Sequence, residues 1–184
     1  LFTPVQINRM ERPGSGITIS SDMQVGYGLG NFTMHYDTPY LFHGHNGAID
    51  GFYSVMAYNR DLGVGYAVAN NGSASNRRIQ QLLANWLLSG FPVKKTVTLP
   101  LDSAAVQPWL GYYDVKNPRQ QILNLMETMF GGAELYMAGG ELFLKEDSDK
   151  PQKLLHTGNL LFKREGHNTA TVKLATSPGG SLVV

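Results

Sequence analysis

The sequence contains no cysteine, few charged residues and no long apolar run. Without cysteine the chain can form no disulfide, no thiolate nucleophile and no thiolate metal site. Charged residues make up 16% of the chain, and 15 basic against 14 acidic side chains leave a net charge of +1. This balance provides no broad field to attract nucleic acid or an acidic membrane. No apolar run approaches the ~18 residues that span a bilayer, so we expect no membrane span.

Glycine and apolar residues are plentiful instead. Of 184 residues, 21 are glycine and 42% are apolar, which argues against disorder and favours a β-rich, turn-rich globular protein. We expect an α+β chain with three parts. Residues 1–90 form an antiparallel sheet flanked by helices, 91–101 form a linker, and 102–184 form an all-β small barrel or sheet domain.

Two elements are predicted near the start of the chain. Thr3 caps a helix, Pro4 takes its first position, and Gln6 completes a capping box, a pattern typical of a helix start. The helix should end before Pro13. Residues 25–34 are predicted as a strand whose glycines allow another backbone to approach closely.

The clearest β signal lies between residues 40 and 71. Two nearly continuous apolar runs, 52–58 and 64–69, flank a Gly-containing turn over 59–63. This pattern predicts a β-hairpin. Because both runs are apolar throughout, we expect central strands that are covered on both faces.

An amphipathic helix is predicted to follow the hairpin, over residues 73–89. Its apolar side chains recur with the spacing of a single helical stripe and are Ile79, Leu82, Leu83, Trp86 and Leu87. The polar side chains fall on the other side and are Arg77, Arg78, Gln80, Gln81 and Asn85. We expect the apolar stripe to pack against the sheet.

Short strands at close spacing are predicted beyond residue 101. They lie at 111–115, 121–125, 134–137, 141–145, 160–163 and 171–175. Residues 124–130 are alternatively one helical turn, and 145–153 are predicted to be a solvated loop. Strands at this spacing indicate an antiparallel sheet or a small barrel.

Three histidines, His35, His43 and His45, lie close together in the sequence. Alternate strand residues share a face, so His43 and His45 can point the same way and bind zinc, with Asp50 or His35 completing the site. A second interpretation makes them hydrogen-bonded strand histidines without a ligand. A third places His45 in a catalytic site.

The segment 45–54, H-N-G-A-I-D-G-F-Y-S, resembles the third motif of the serine β-lactamase and penicillin-binding-protein superfamily. In its esterase and peptidase branches, the Lys-Thr-Gly of that motif is often His-Thr-Gly. The G-Y-G-L-G stretch at 26–30, the hairpin and the helix after it follow the order seen in the family. The resemblance covers about residues 1–90 and implies part of a β-lactamase-like or transpeptidase fold. Residues 102–184 resemble the small β-barrel domain that follows the hydrolase in some members.

Four residues of the motif are candidates for the site. His45 can orient a substrate carboxylate or assist proton transfer. Asn46 can hydrogen-bond to the substrate, and Gly47 leaves room for substrate against the strand. By resemblance, the backbone N–H of Ala48 stabilises a developing oxyanion. This scheme needs no metal and no cofactor.

The sequence lacks the family's other motifs. It contains no S-x-x-K, no Y/S-x-N triplet and no G-x-S-x-G, and the nearest match is Ser75 followed by Arg78. In the family, the first two of these motifs lie well before the third. We therefore expect Leu1 to begin after them, and the nucleophile to come from an N-terminal half, as a separate chain or a preceding segment.

Two classes of function follow. The first is acyl transfer through a serine ester on a small-molecule or peptide substrate, as by a β-lactamase, peptidase, amidase or esterase; this chain alone would be inactive. The alternative is a non-catalytic β-rich module that binds a peptide or carbohydrate, and a zinc-binding β protein is a weaker third. The resemblance favours the bacterial periplasm or secretion, while the composition leaves the cytoplasm open.

Overall fold

The chain is an α+β protein with antiparallel sheets. The computed structural model describes residues 2–14, 23, 25–35, 37–72, 76–114, 131–146, 150–177, 180 and 182–183. The chain consists of two compact units. The first, unit 1, comprises the residues up to Thr96 together with His167–Thr169, and unit 2 comprises Val97–Gly166 and Ala170–Val184.

Helix α1 (Pro4–Glu11) opens unit 1 and begins as predicted. The Thr3 hydroxyl oxygen accepts a hydrogen bond from the backbone N–H of Gln6 at 3.3 Å, and the Gln6 side chain accepts one from the Thr3 N–H at 2.8 Å. The capping box therefore satisfies two of the backbone donors that a helix start leaves free. The helix ends before Pro13, also as predicted.

The sheet of unit 1 has four antiparallel strands in the order β1-β2-β3-β4. They are β1 (Phe32–Met34), β2 (Phe42–Ile49), β3 (Phe52–Asn59) and β4 (Val64–Asn70). The predicted hairpin is confirmed as β3 and β4, and Gly63 adopts a positive φ of 67° in the turn between them.

The strand predicted over 25–34 is only partly confirmed, because only its last residues form β1. The backbone turns back before Phe32, where the Gly28 N–H donates to the Asn31 carbonyl at 2.7 Å. The predicted close approach of another backbone does occur at Gly28. A Cβ atom there would lie 2.0 Å from the Met10 carbonyl oxygen of α1, so only glycine fits.

The expectation that both hairpin strands are central and covered on both faces is wrong for the described residues. Strand β4 is the last strand of the sheet, and Met56 on β3 is 51% exposed. Side chains of the opposite face pack on helix α2 (Arg77–Leu88). The buried core there consists of Met34, Phe42, Val55, Ala57 and Leu88.

Helix α2 is rotated relative to the prediction. It buries Gln80, Ala84 and Leu88, whereas Leu82 and Trp86 of the predicted stripe are 62% and 71% exposed. Asn76, directly before the helix, is buried, and its polar contacts fix the position of this end of α2. Its side chain accepts a hydrogen bond from Asn70 and donates one to the Tyr53 carbonyl at 3.3 Å, tying this end of α2 to β3 and β4.

Unit 2 contains a short helix, a 3-10 turn and a six-stranded antiparallel sheet. The helix α3 (Ser103–Val106) leads into the turn Gln107–Trp109. The sheet has the order β10-β9-β8-β7-β6-β5. Its strands are β5 (Gly111–Asp114), β6 (Gly132–Ala138), β7 (Glu141–Glu146), β8 (Gln152–Gly158), β9 (Leu161–Arg164) and β10 (Ala170–Lys173). Two further short strands, β11 (Ala175–Thr176) and β12 (Leu182–Val183), pair with each other.

Most strand predictions for unit 2 are confirmed to within a few residues. The exception is the loop predicted over 145–153, whose first residues belong to β7 and whose last residues belong to β8. In β8, Leu154 is buried in the core, and the neighbouring Lys153 forms an ion pair with Glu141. Because polar and apolar residues are mixed in this way, the start of the strand resembles a solvated loop in the sequence. The predictions for 121–125 and 124–130 fall outside the described residues. In the described part of the chain, no helix is long and apolar enough to cross a membrane.

Candidate functional site

The four candidate residues lie in the second half of β2 and are divided between its two faces. Opposite residues of paired strands share a face. His45 is paired with Met56 and Gly47 with Ser54, whereas Asn46 is paired with Val55. Alternation along a strand therefore places His45 and Gly47 on one face, and Asn46 and Ala48 on the other.

In the part of the chain that the structure describes, one edge of this half of β2 is open. Strand β1 pairs with β2 only as far as Gly44, which is opposite Phe32. Within the described residues, 45–49 have β3 along one edge and no strand along the other. Because N–H and C=O groups of alternate residues point to opposite edges, part of this backbone is available for an extended ligand.

Both ring nitrogens of His45 have hydrogen-bond partners. Nε2 lies 2.7 Å from the hydroxyl oxygen of Tyr27, and Nδ1 lies 2.5 Å from the backbone carbonyl oxygen of Asn46. The His45 ring also makes edge contacts with Phe32 and Tyr27, with ring centroids 5.5 and 5.8 Å apart. The imidazole is therefore half-buried and held in one orientation.

Tyr27 was not among the residues that the sequence suggested for the site. Its ring stacks on Phe32 with centroids 5.9 Å apart and planes 19° apart, and the residue is 52% exposed. Its backbone carbonyl accepts a hydrogen bond from the Gly14 N–H at 2.9 Å. The G-Y-G-L-G stretch was the available signal, but its interpretation as a strand concealed the turn that brings Tyr27 to His45.

Asn46 and Gly47 have different surroundings from His45. The Asn46 side-chain amide donates to the Tyr53 hydroxyl at 3.4 Å, on the face that packs on α2. A Cβ atom at Gly47 would lie 3.1 Å from Oγ of Ser54, so a side chain would crowd β3. Gly47 and Ala48 are both exposed.

His35, His43 and His45 do not converge. Nε2 of His35 lies 2.5 Å from the Tyr66 hydroxyl oxygen, and the His35 ring contacts Phe42. His43 lies instead on the face shared with His45, opposite Tyr58. The described residues contain no group of three histidine, aspartate or glutamate side chains that could hold a metal. The predicted zinc site of these histidines is therefore not formed.

Burial changes the ionisation of two of these histidines. Desolvation lowers the pKa of His35, against the opposing effects of Asp37 and Gln81. Desolvation also lowers the pKa of His43, which Glu11 and Asp61 partly offset. A buried imidazole favours its neutral form because the protein replaces water poorly around a charge.

A buried carboxylate lies on the same side of the sheet as His43. Glu11, the last residue of α1, forms an ion pair with Arg60 in which Oε2 and Nη2 are 3.3 Å apart. A cleft of about 550 Å³ opens beside Arg60, and no residue of the 45–48 motif lines it. Its lining is Phe2, Ile7, Met10, Tyr58, Asn59, Arg60, Gly63, Val64 and Gly65.

No protein-family model matches this chain, and neither does any curated protein. Several solved structures have some similarity to it, among them two of SurE. A crystal structure of SurE with D-Leu is 19% identical, with a TM-score of 0.43, and the match covers 98% of this chain and 38% of that one. A crystal structure of SurE is 22% identical, with a TM-score of 0.40, and the match covers 76% of this chain and 29% of that one. The chain thus spans well under half the length of the SurE chains that it matches.

Proposed function

We propose that this chain forms one wall of the active site of a β-lactamase-like serine hydrolase. The reaction would be acyl transfer through a serine ester, on a small-molecule or peptide substrate. The serine would come from an N-terminal half with S-x-x-K and Y/S-x-N motifs, as a separate chain or a preceding segment. Residues 1–90 would then complete a β-lactamase-like or transpeptidase fold, and 102–184 would form a small β-barrel domain.

The observation that carries this proposal is the placement of His45 beside an open strand edge. Residues 45–49 offer backbone hydrogen-bonding groups on that edge, and His45 is held by two hydrogen bonds next to them. A hydrolase needs a fixed polar side chain and backbone donors at one place, where a carbonyl group can be bound and polarised.

A substrate at this edge can meet both faces of the strand. The His45 ring, with the Tyr27 hydroxyl bonded to it, would contact the substrate from one face. Asn46 would contact it from the other, where its amide already reaches towards Tyr53. Gly47 would let the substrate approach the backbone. The N–H of Ala48 would stabilise the oxyanion, a contribution worth ~2.7–4 kcal/mol when such a donor is lost.

Exposed apolar side chains support the idea that another element completes this domain. Ile79, Leu82 and Trp86 on α2 and Met56 on β3 are all about half exposed or more. Apolar surface of this kind is typical of faces that a partner covers. The N-terminal half would bury these side chains when it supplies the serine.

The proposal is tested by treating native material that contains this sequence with a fluorophosphonate probe and a fluorescent penicillin. The expected result is a labelled serine in a segment that co-purifies with residues 1–184. The isolated chain should neither label nor hydrolyse nitrocefin or p-nitrophenyl acetate. His45→Gln should slow the turnover of the native material, while the matched variant His43→Gln, two residues away on the same face, should not.

Other outcomes would contradict the proposal. Ordinary turnover by the isolated chain would show that the nucleophile lies within it. Absence of labelling in the native material, together with saturable binding of a peptide or oligosaccharide, would instead establish the binding module. Equal loss of turnover in both histidine variants would remove His45 from the site.

A further inference from the structure

The hydrogen bonds of His45 determine which of its nitrogens carries a proton. A backbone carbonyl oxygen can only accept, so Nδ1 must be the donor to the Asn46 oxygen at 2.5 Å. In a neutral imidazole, Nε2 then has a lone pair and accepts. The Tyr27 hydroxyl, 2.7 Å away, therefore donates its proton to Nε2.

The direction of this bond leaves one polar atom facing outwards. With its proton committed to His45, the Tyr27 oxygen has only lone pairs to offer a ligand. Tyr27 is 52% exposed, whereas His45 is half-buried and both its nitrogens are occupied. A ligand beside His45 would thus meet the Tyr27 oxygen, and would need a donor group to bond to it.

Packing holds the Tyr27 hydroxyl in this place. The ring stacks on Phe32, and the turn before β1 is closed by the Gly28 N–H to Asn31 carbonyl bond of 2.7 Å. One rung further from the turn, the Gly26 N–H donates to the Thr33 hydroxyl at 2.9 Å. The residues on both sides of Tyr27 are therefore fixed, and the hydroxyl stays opposite Nε2.

We propose that Tyr27 is a positioning residue for His45, and that the Tyr27 oxygen accepts a hydrogen bond from an N–H or ammonium group of the ligand. The Asn46 carbonyl and the Tyr27 hydroxyl together hold His45 as the Nδ1–H tautomer. The hydrogen bond from the ligand to the Tyr27 oxygen rests on the proposed function in one respect, which is that a ligand binds along the open edge of β2. While the imidazole is neutral, the Tyr27 oxygen selects an N–H donor over a carboxylate.

The first test measures the tautomer, and it needs no substrate and no serine. In the ¹⁵N-labelled chain at pH 8, the ring nitrogens of His45 are observed by long-range ¹H–¹⁵N correlation and assigned with His45→Gln. We expect a protonated Nδ1 and an unprotonated Nε2. In Tyr27→Phe the stacking on Phe32 remains, but Nε2 should move towards its protonated form, whereas Tyr53→Phe should leave His45 unchanged.

The second test compares three probes of similar size. Benzylammonium has N–H donors, benzyltrimethylammonium has the same charge without them, and benzoate is a carboxylate. Only benzylammonium should shift the ring signals of Tyr27 and His45. In Tyr27→Phe the shift of the His45 signals should fall at least about twofold, as expected when a single hydrogen bond is lost.

Several results would overturn the inference. A protonated Nε2 in the unmodified chain, or unchanged His45 nitrogens in Tyr27→Phe, would refute the positioning role. Equal shifts with both cations, a shift with benzoate, or no shift with any probe would refute the choice of a donor ligand. Because neither readout involves the serine, the inference and the proposed hydrolase can fail separately.

Discussion

His35 and Tyr66 join the end of β1 to β4 through a hydrogen bond of 2.5 Å between Nε2 and the hydroxyl oxygen. His35 has a φ of 60°, in the left-handed region that side chains other than glycine rarely adopt. Such a backbone persists only where surrounding contacts hold it. Here the bond to Tyr66 and the ring contact with Phe42, with centroids 5.3 Å apart, hold it.

Tyr66→Phe should lower the free energy of unfolding of unit 1 by about 1 kcal/mol. The substitution removes the hydrogen bond to His35 and keeps the partly buried ring. Amide hydrogen exchange of β2, β3 and β4 measures the effect, because it reports the opening of these strands directly. Tyr136→Phe, in unit 2, is the control and should leave this exchange unchanged. Equal protection in the Tyr66 variant would mean that the bond adds nothing to stability.

The same variant should alter the alkaline titration of the chain. Burial raises the pKa of Tyr66 to about 12, above the ordinary value of 10. The unfolded chain therefore loses this proton first, and stability falls as the pH rises above 10. Burial also raises the pKa of Tyr58 and of Tyr113. Absorbance titration of the tyrosinates should therefore keep part of its late phase in Tyr66→Phe and lose the component near pH 12. An unchanged component near pH 12 in the variant would belong to another tyrosine.

Acidification should destabilise unit 1 before the carboxylates become protonated. Burial lowers the pKa of His35 and of His43 below the ordinary 6.5. Between the lowered and the ordinary values the unfolded chain binds more protons, so stability is complete above about pH 7 and declines below it. Hydrogen exchange of β2–β4, corrected for intrinsic rates, should show this decline between pH 7.5 and 5.5.

The variant His43→Gln tests how much of the loss of stability on acidification is due to His43. His43→Gln removes a group that must ionise on unfolding, so its stability should depend less steeply on pH than that of the unmodified chain. The C2–H signals of His35 and His43 should titrate with midpoints below 6.5. Stability that is constant or increases on acidification would contradict both assignments.

Much of unit 1 could be predicted from the sequence because the signals were local. The capping box of Thr3 and the hairpin of β3 and β4 depend on neighbouring residues, and both are confirmed. The rotation of α2 could not be predicted, since hydropathy ranks Leu82 above Gln80 and cannot show that Asn76 ties the helix to the sheet. The contact of Tyr27 with His45 was also hidden, because it depends on a turn stabilised by residues of α1.

The two sides of α2 should respond differently to truncation. Leu88 is 7% exposed and belongs to the core, so Leu88→Ala should cost about 2–5 kcal/mol of unfolding free energy. Leu82 is exposed, and Leu82→Ala should change stability by less than about 0.5 kcal/mol. Hydrogen exchange of β3 and β4 measures both variants. Comparable losses would mean that Leu82 packs on the sheet after all, as its place in the apolar stripe predicted.

Gly28→Ala should displace the turn that presents Tyr27 to His45. A Cβ atom at this position would lie 2.0 Å from the Met10 carbonyl oxygen, and backbone atoms cannot yield as a flexible side chain does. Separation of the turn from α1 would also weaken the hydrogen bond of 2.8 Å from the Leu29 N–H to that oxygen. We expect a loss of about 1–3 kcal/mol in unfolding free energy, as for other overpacked sites.

Gly14→Ala is the matched control, since it alters another glycine that contacts the same turn. Its Cβ atom would lie 3.8 Å from the Tyr27 carbonyl oxygen, an ordinary contact, and its N–H would remain free to donate to that oxygen. The nuclear Overhauser effect between the Tyr27 and His45 rings should therefore survive in Gly14→Ala and disappear in Gly28→Ala. If this effect survives in both variants, the close approach of Gly28 to α1 does not determine the position of Tyr27. The stacking of Tyr27 on Phe32 would then be sufficient to hold its ring beside His45.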